Sequence, residues 1–225
     1  MINLRPVKYT LAFLLILLSF CSKAQYWLPK SIGELVTHTY YTLSYNEENE
    51  QANWVAYKLT REMIQGVAVR KNKFKEDPDV ETGSAKLVDY KGSGYDRGHL
   101  CPAAAMKINA KAMSESFYMS NMSPQVPGFN RGKWKSLEAK VRKLTVENDS
   151  LYVISGPVFK NNKGEIGPDH VTIPGYYFKV IYFPRQKKTL SYLMPNRKIE
   201  KNIDAFVVPL DSIERISHIH FNHLF

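Results

Sequence analysis

Cysteine is scarce in this chain. Of 225 residues only Cys21 and Cys101 are cysteines, so no disulfide framework can be built and the protein must hold together through its core. Repeats and low-complexity stretches are missing as well, which excludes fibrous and array architectures. No apolar run reaches membrane-spanning length: LAFLLILLSF, residues 11–20, falls short of the roughly 20 residues a spanning helix needs. Acidic residues are in deficit, 21 against 31 Lys and Arg, for a formal charge of +10. Such a balance favours anionic partners, nucleic acid among them, although a charge that serves solubility alone is the plainer reading.

What is present suits one sizeable globular domain. Hydrophobic residues make up 44% and charged residues 23%, both ordinary for a chain with a real core. The N-terminus, with Arg5 and Lys8 ahead of the short apolar run, has the form of a secretory signal over residues 1–24. Ser22 and Ala24 suit a cut before Gln25; a lipidated Cys21 is the weaker alternative, because Phe20 is a poor neighbour for it. Cleavage removes Arg5, Lys8 and Lys23 and no acid, which lowers the charge to about +7. The expected destination is the periplasm or the medium. Cys101 is then alone, and reads as a small buried hydrophobe.

Along the chain, residues 25–49 read as a linker and a β-rich segment, and 50–225 as the main domain. WVAYKLT (54–60), LYVISGPVF (151–159), YYFKVIYF (176–183) and LSYLMP (190–195) read as strands. VAVR (67–70) reads as a strand end running into a basic loop, and SFYMSNM (116–122) as a further strand. RGKWKSLEAKVRKLTVEN (131–148) is the best helix. In DSIERI, Asp211 and Glu214 have capping-box spacing, which predicts a short terminal helix. The sum is a single α+β domain with a large, mostly antiparallel sheet.

Taken at 3.6 residues per turn, Trp134, Leu137, Val141 and Leu144 form the apolar stripe of the long helix. Lys135, Lys140, Arg142 and Lys143 fall outside it. Asn130 and Glu138, four residues to either side of Trp134, lie on the inward face. A carboxylate there is costly unless it is paired or serves a cation. Glu138 could salt-bridge an Arg at the rim, and Asn130 could cap the helix; a metal or water site is the sharper reading.

The stretch KGSGYDRGHLCPAAAM, residues 91–106, sets Asp96, Arg97 and His99 almost side by side. Phosphodiester hydrolysis needs such groups. Imidazole can take a proton from water near neutral pH. Guanidinium meets phosphate bidentately, which gives Arg97 and Arg70 a use. Mg²⁺ keeps most of its waters, so an amide oxygen from Asn130 and hydrogen bonds from Glu138 to those waters could suffice to hold it. Asp96 would steady the loop.

GYDRGHLCPAAAM resembles the signature of the DNA/RNA non-specific endonucleases, the family with the ββα-metal (His-Me finger) site. YMSNMSPQ followed by FNRGKWKSLE resembles the family's second block, and GPVF, VTIPGYYFKVI and DSIERI resemble others, so the likeness covers roughly residues 50–220. It implies a ββα-metal motif in the α+β domain, with His99 as general base, Asn130 as metal ligand and Glu138 as the acid ordering the metal's waters. It places Arg97 on the motif arginine, Asn121 on an asparagine supporting substrate and site, and Arg70 near a phosphate-facing arginine. Mg²⁺ is the implied cofactor, with Mn²⁺ as an alternative, and DNA and RNA are the implied substrates. A homodimer is left open.

His218, His220 and His223 read as a half-exposed edge strand rather than a zinc site. His38 and His170 read as structural. KNKFK, residues 71–75, could touch a nucleic-acid backbone or be a solvated loop. Two rival functions are a metal-dependent phosphodiesterase for a small substrate and a module that binds nucleic acid without cutting it.

Overall fold

A computed structural model describes residues 27–221; residues 1–24, where a secretory signal is expected, Cys21 and His223 lie outside the described residues. The strands are β1 Glu34–Thr37, β2 Thr42–Asn46, β3 Gln51–Thr60, β4 Asp96–His99, β5 Met122–Gln125, β6 Ser150–Val158, β7 Glu165–Ile166, β8 Val171–Thr172, β9 Tyr176–Phe183 and β10 Lys188–Pro195. The helices are α1 Arg61–Gln65, α2 Leu87–Tyr90, α3 Ala110–Glu115, α4 Lys135–Asn148 and α5 Leu210–Ser217. Six strands form one antiparallel sheet in the order β1-β2-β3-β6-β9-β10. β1 and β2 thus extend the same sheet as the main domain.

The long strands send alternate side chains to opposite faces, and both faces are covered. Val55, Tyr57 and Leu59 of β3 share one core with Leu151, Val153, Tyr177 and Ile181. Trp54 and Ala56 share the other with Ile154, Phe178 and Val180. Burial on both faces is why these strands read as nearly continuous apolar runs. The first face is closed by Trp134, Leu137 and Val141, the second by Ile213, Ile219 and Phe221. Burying Leu137 and Val141 contributes about 1.5–3 kcal/mol each. A surface pair such as Lys143–Glu147, 3.9 Å apart, contributes about 0–1 kcal/mol, so packing holds α4 in place.

On the first face sits a separate unit. β4 pairs antiparallel with β5, His99 opposite Met122 and Asp96 opposite Gln125, and the chain then runs into α4. This is the ββα arrangement the motifs imply. Gly98 is required by close approach: a Cβ there would lie 2.2 Å from Cδ of the fully buried Gln125. The unit is bound to the sheet through Tyr177, whose hydroxyl donates to Pro124 O at 2.8 Å and whose ring stacks on Phe129.

Several local expectations fail. VAVR forms no strand; Ala68 instead donates its N–H to Lys107 O, and Val67 and Val69 are exposed. SFYMSNM is helix end and a 3₁₀ turn, Met119–Asn121, with the strand starting at Met122. Asn121 performs the pairing there with its side chain. The long helix does not begin at 131: a wide turn over Phe129–Trp134 breaks at Gly132 (φ −100°, ψ −110°), and regular α-helix starts at Lys135. Asp211 and Glu214 make no capping box, because Pro209 precedes the first helical residue. Glu214 instead accepts the N–H of Phe221 at 2.9 Å. Residues 218–221 form no edge strand. Ile219 and Phe221 are buried and His218 and His220 exposed, as the alternation suggested, but His218 ends α5 in a left-handed conformation.

Candidate active site

Arg97 and His99 alternate with Asp96 and Gly98 along β4, so both project to one side. The His99 ring is packed edge-on against Phe117, centroids 5.0 Å apart, and against Phe74 at 5.7 Å. The Arg97 guanidinium lies 4.4 Å over Phe74, and that of Arg70 lies 5.2 Å over Phe117. The two phenyl rings therefore hold both guanidiniums and the imidazole. Phe74 belongs to KNKFK, so that segment is anchored to the site while Lys71 and Lys73 stay exposed.

Burial drives the pKa of His99 down to about 3, and the charges of Arg70 and Arg97 push the same way. The ring is neutral at ordinary pH. Its Nε2 is buried without a hydrogen-bond partner, a cost of about 1–3 kcal/mol until a ligand or water meets it. The carbonyl of His99 accepts from Trp134 Nε1 at 3.3 Å, which ties β4 to the turn entering α4.

That turn carries Asn130. It is not a helix cap: its Nδ2 donates to Asp96 Oδ2 at 2.9 Å. A carboxylate only accepts, so this bond fixes which way the amide faces and leaves Oδ1 as the atom to offer. Arg131 closes on the same carboxylate from Nε (2.8 Å) and Nη2 (2.6 Å). Burial raises the pKa of Asp96, but the bonds from Arg131 and Asn130 outweigh it and hold the group below its usual range.

Glu138 lies one helical turn beyond Trp134. Burial lifts its pKa above the ordinary value, while Lys179, Arg142, Arg70 and Lys135 oppose the rise. None of them comes within ion-pair distance among the described residues, so the rim salt bridge is not formed. Arg70, Arg97, His99, Asn130 and Glu138 line one cavity of about 460 Å³. Asn121 does not. It is fully buried, accepts from Cys101 N and donates to Cys101 O and Ser116 O. It braces the backbone leaving β4 and lies outside the cavity wall. Cys101 is a buried thiol in the core, as expected.

Sequence reasoning missed four cations. Arg131, Lys135 and Arg142 complete the cavity wall, although Lys135 and Arg142 both fall outside the apolar stripe of the helix; for Arg142 there was a signal, its spacing of four from Glu138. Lys179 is fully buried, 2.5 Å from Ser155 Oγ and 4.4 Å over the Trp134 ring. Burial pulls its pKa down to about 8, with Glu138 and Cys101 opposing. A lone lysine inside the apolar run YYFKVIYF was the clue. The wall thus presents many positive charges to one carboxylate, which suits a polyanion. One amide oxygen and one unpaired acid beside it fit a hydrated divalent ion that takes further oxygens from substrate.

Among the described residues, His38, Asp77 and Asp79 also lie close enough together to ligate metal. We read them as a clasp. His38 Nε2 meets Asp77 at 2.8 Å and Nδ1 meets Asp79 at 3.3 Å, so its two nitrogens are engaged on opposite edges. Asp77 also accepts from Ser120. His170 is exposed and meets Glu165.

The family model for DNA/RNA non-specific endonucleases matches residues 24–224. The chain belongs to the DNA/RNA non-specific endonuclease family. It is therefore an enzyme of the phosphodiester-hydrolase class. Its relatives include human mitochondrial endonuclease G, 37% identical over 215 residues that cover 88% of this chain and 72% of that one. Nuclease C1 of Cunninghamella echinulata var. echinulata is 36% identical over 216 residues, covering 88% and 86%. Among solved structures, a chain of the EndoG/EndoGI complex superposes with a TM-score of 0.80 at 34% identity, over 88% of this chain and 89% of that one. No helix among the described residues of this endonuclease is long and apolar enough to cross a membrane.

Proposed function

We propose that the protein is an exported, Mg²⁺-dependent endonuclease that hydrolyses DNA and RNA without sequence preference. The observation that carries this is the convergence of His99, Asn130 and Glu138 on one cation-walled cavity. Arg70 and Arg97 hold the scissile phosphate and neutralise it. In doing so they lose two of the three causes of the low His99 pKa, so the imidazole becomes a better base when substrate is present. His99 then takes the proton of the attacking water. Asn130 Oδ1 would ligate Mg²⁺, and Glu138 would hold the ion's waters. Bound there, the ion would supply positive charge to the phosphoryl and leaving oxygens. Mn²⁺ has the same preference for oxygen donors. Export is supported by the N-terminal pattern alone.

The test is incubation with supercoiled plasmid and with a small phosphodiester ester. Plasmid relaxation and linearisation with slow ester turnover supports the endonuclease. Fast ester turnover on an intact plasmid supports the small-substrate reading, and a gel shift without cutting in Mg²⁺ supports a binding module.

A further inference from the structure

We propose that a second cavity, next to the catalytic one, binds the neighbouring phosphodiester group of the same strand, with Tyr90 as a hydrogen-bond donor to it. This rests on the endonuclease reading above. The cavity, about 230 Å³, shares Arg70, Arg97 and Asn130 with the catalytic one and adds Phe74, Tyr90 and Tyr95. Tyr90 is 5% exposed, and its hydroxyl is buried without a hydrogen-bond partner. A buried hydroxyl left unpaired costs about 1–3 kcal/mol, and an anionic oxygen is the partner that recovers most.

The residue is held firmly. Its backbone carbonyl accepts from Ser93 N–H and hydroxyl. The preceding Asp89 is fixed by the N–H groups of Lys86 and Asp169. The Tyr90 ring packs with Met119, Met122 and Ile166. The charge balance of the cavity points to an anion. Arg70 and Arg97 form no ion pair among the described residues, while the one acid, Asp96, is already bound by Arg131. Both guanidiniums border both cavities, so two successive phosphates can share them. The aromatic walls Phe74 and Tyr95 suit the sugar between those phosphates.

Tyr90→Phe removes the hydroxyl and keeps the ring. Two measurements test it. In the first, anisotropy with a labelled twelve-residue oligonucleotide compares His99→Ala with His99→Ala/Tyr90→Phe, in EDTA, where no cutting occurs. The expected result is about tenfold weaker binding by the double variant, the size of one hydrogen bond to a charged group. In the second, kcat/KM is compared on the oligonucleotide and on a nitrophenyl ester of a nucleoside phosphate, which holds a single phosphodiester. The expected loss is several times larger on the oligonucleotide. Equal binding by the two variants overturns the subsite, as does an equal loss on both substrates, which would mark a packing role. Failure of the parent protein to cut anything would overturn the nuclease reading instead, and the binding arm would still decide on Tyr90.

Discussion

Asp96 neither ligates the ion nor takes a proton in the proposed reaction, yet Asp96→Ala should change the metal requirement. The carboxylate accepts one bond from Asn130 Nδ2 at 2.9 Å and two from Arg131. The Arg131 side chain is 73% exposed, so its pair contributes about 0–1 kcal/mol. The bond to Asn130 is charge-assisted and half-buried, and such bonds contribute about 1.5–3 kcal/mol. Without it the amide rotates, and the oxygen that ligates the ion is no longer held in place. At about 1.4 kcal/mol per tenfold, the half-saturating Mg²⁺ concentration should rise roughly tenfold to a hundredfold, the usual range for a ligand-orienting group. The assay is the initial rate of supercoiled plasmid loss against Mg²⁺, with Tm measured in parallel. An unchanged Mg²⁺ titration for Asp96→Ala, beside a shifted one for Asn130→Ala, would refute the orienting role.

Other outcomes follow from the same geometry. Glu138→Gln should lower turnover roughly tenfold to a hundredfold without lowering Tm, since burial already disfavours its charged form; reduced Tm with full specific activity would favour a structural role. His99 has its folded pKa depressed from 6.5 to about 3. The unfolded chain then binds the extra proton first as pH falls, so the stability His99 contributes should decline by roughly 1.4 kcal/mol per pH unit between those values. Urea melts at pH 6.5 and 4.5 should show this slope flattened in His99→Gln; identical slopes would reject it. Lys135→Ala should weaken oligonucleotide binding and reduce the log–log salt slope by about 1, as read by anisotropy across a salt series; an unchanged slope would remove Lys135 from the binding wall.

The parts of the fold that were legible in the sequence are those decided by long patterns. β3, β6 and β9 are apolar runs buried on both faces, β10 is a half-buried edge strand, and α4 has a continuous stripe. Where a single side chain replaces backbone pairing, the pattern misleads. Asn121 satisfies the backbone around Cys101 and Ser116, so SFYMSNM looks like a strand and is a turn. Gly132 breaks the helix start, which propensity alone does not reveal. His99, Asn130 and Glu138 stand out in the sequence because the motifs carry them, and they do line one cavity. The cavity's outer cations were not: Arg142 and Lys135 look like solvated helix residues until β4 and Arg70 are set opposite them. Lys179 was hidden because strand periodicity reports the face and not the charge it meets.

The most direct measurement is digestion of supercoiled plasmid by the parent protein and by His99→Ala, each with Mg²⁺ and with EDTA. Relaxed and linear products are expected only from the parent with Mg²⁺, with both proteins equally folded by circular dichroism. Nicking by His99→Ala at the parent rate, or by the parent in EDTA, would contradict it.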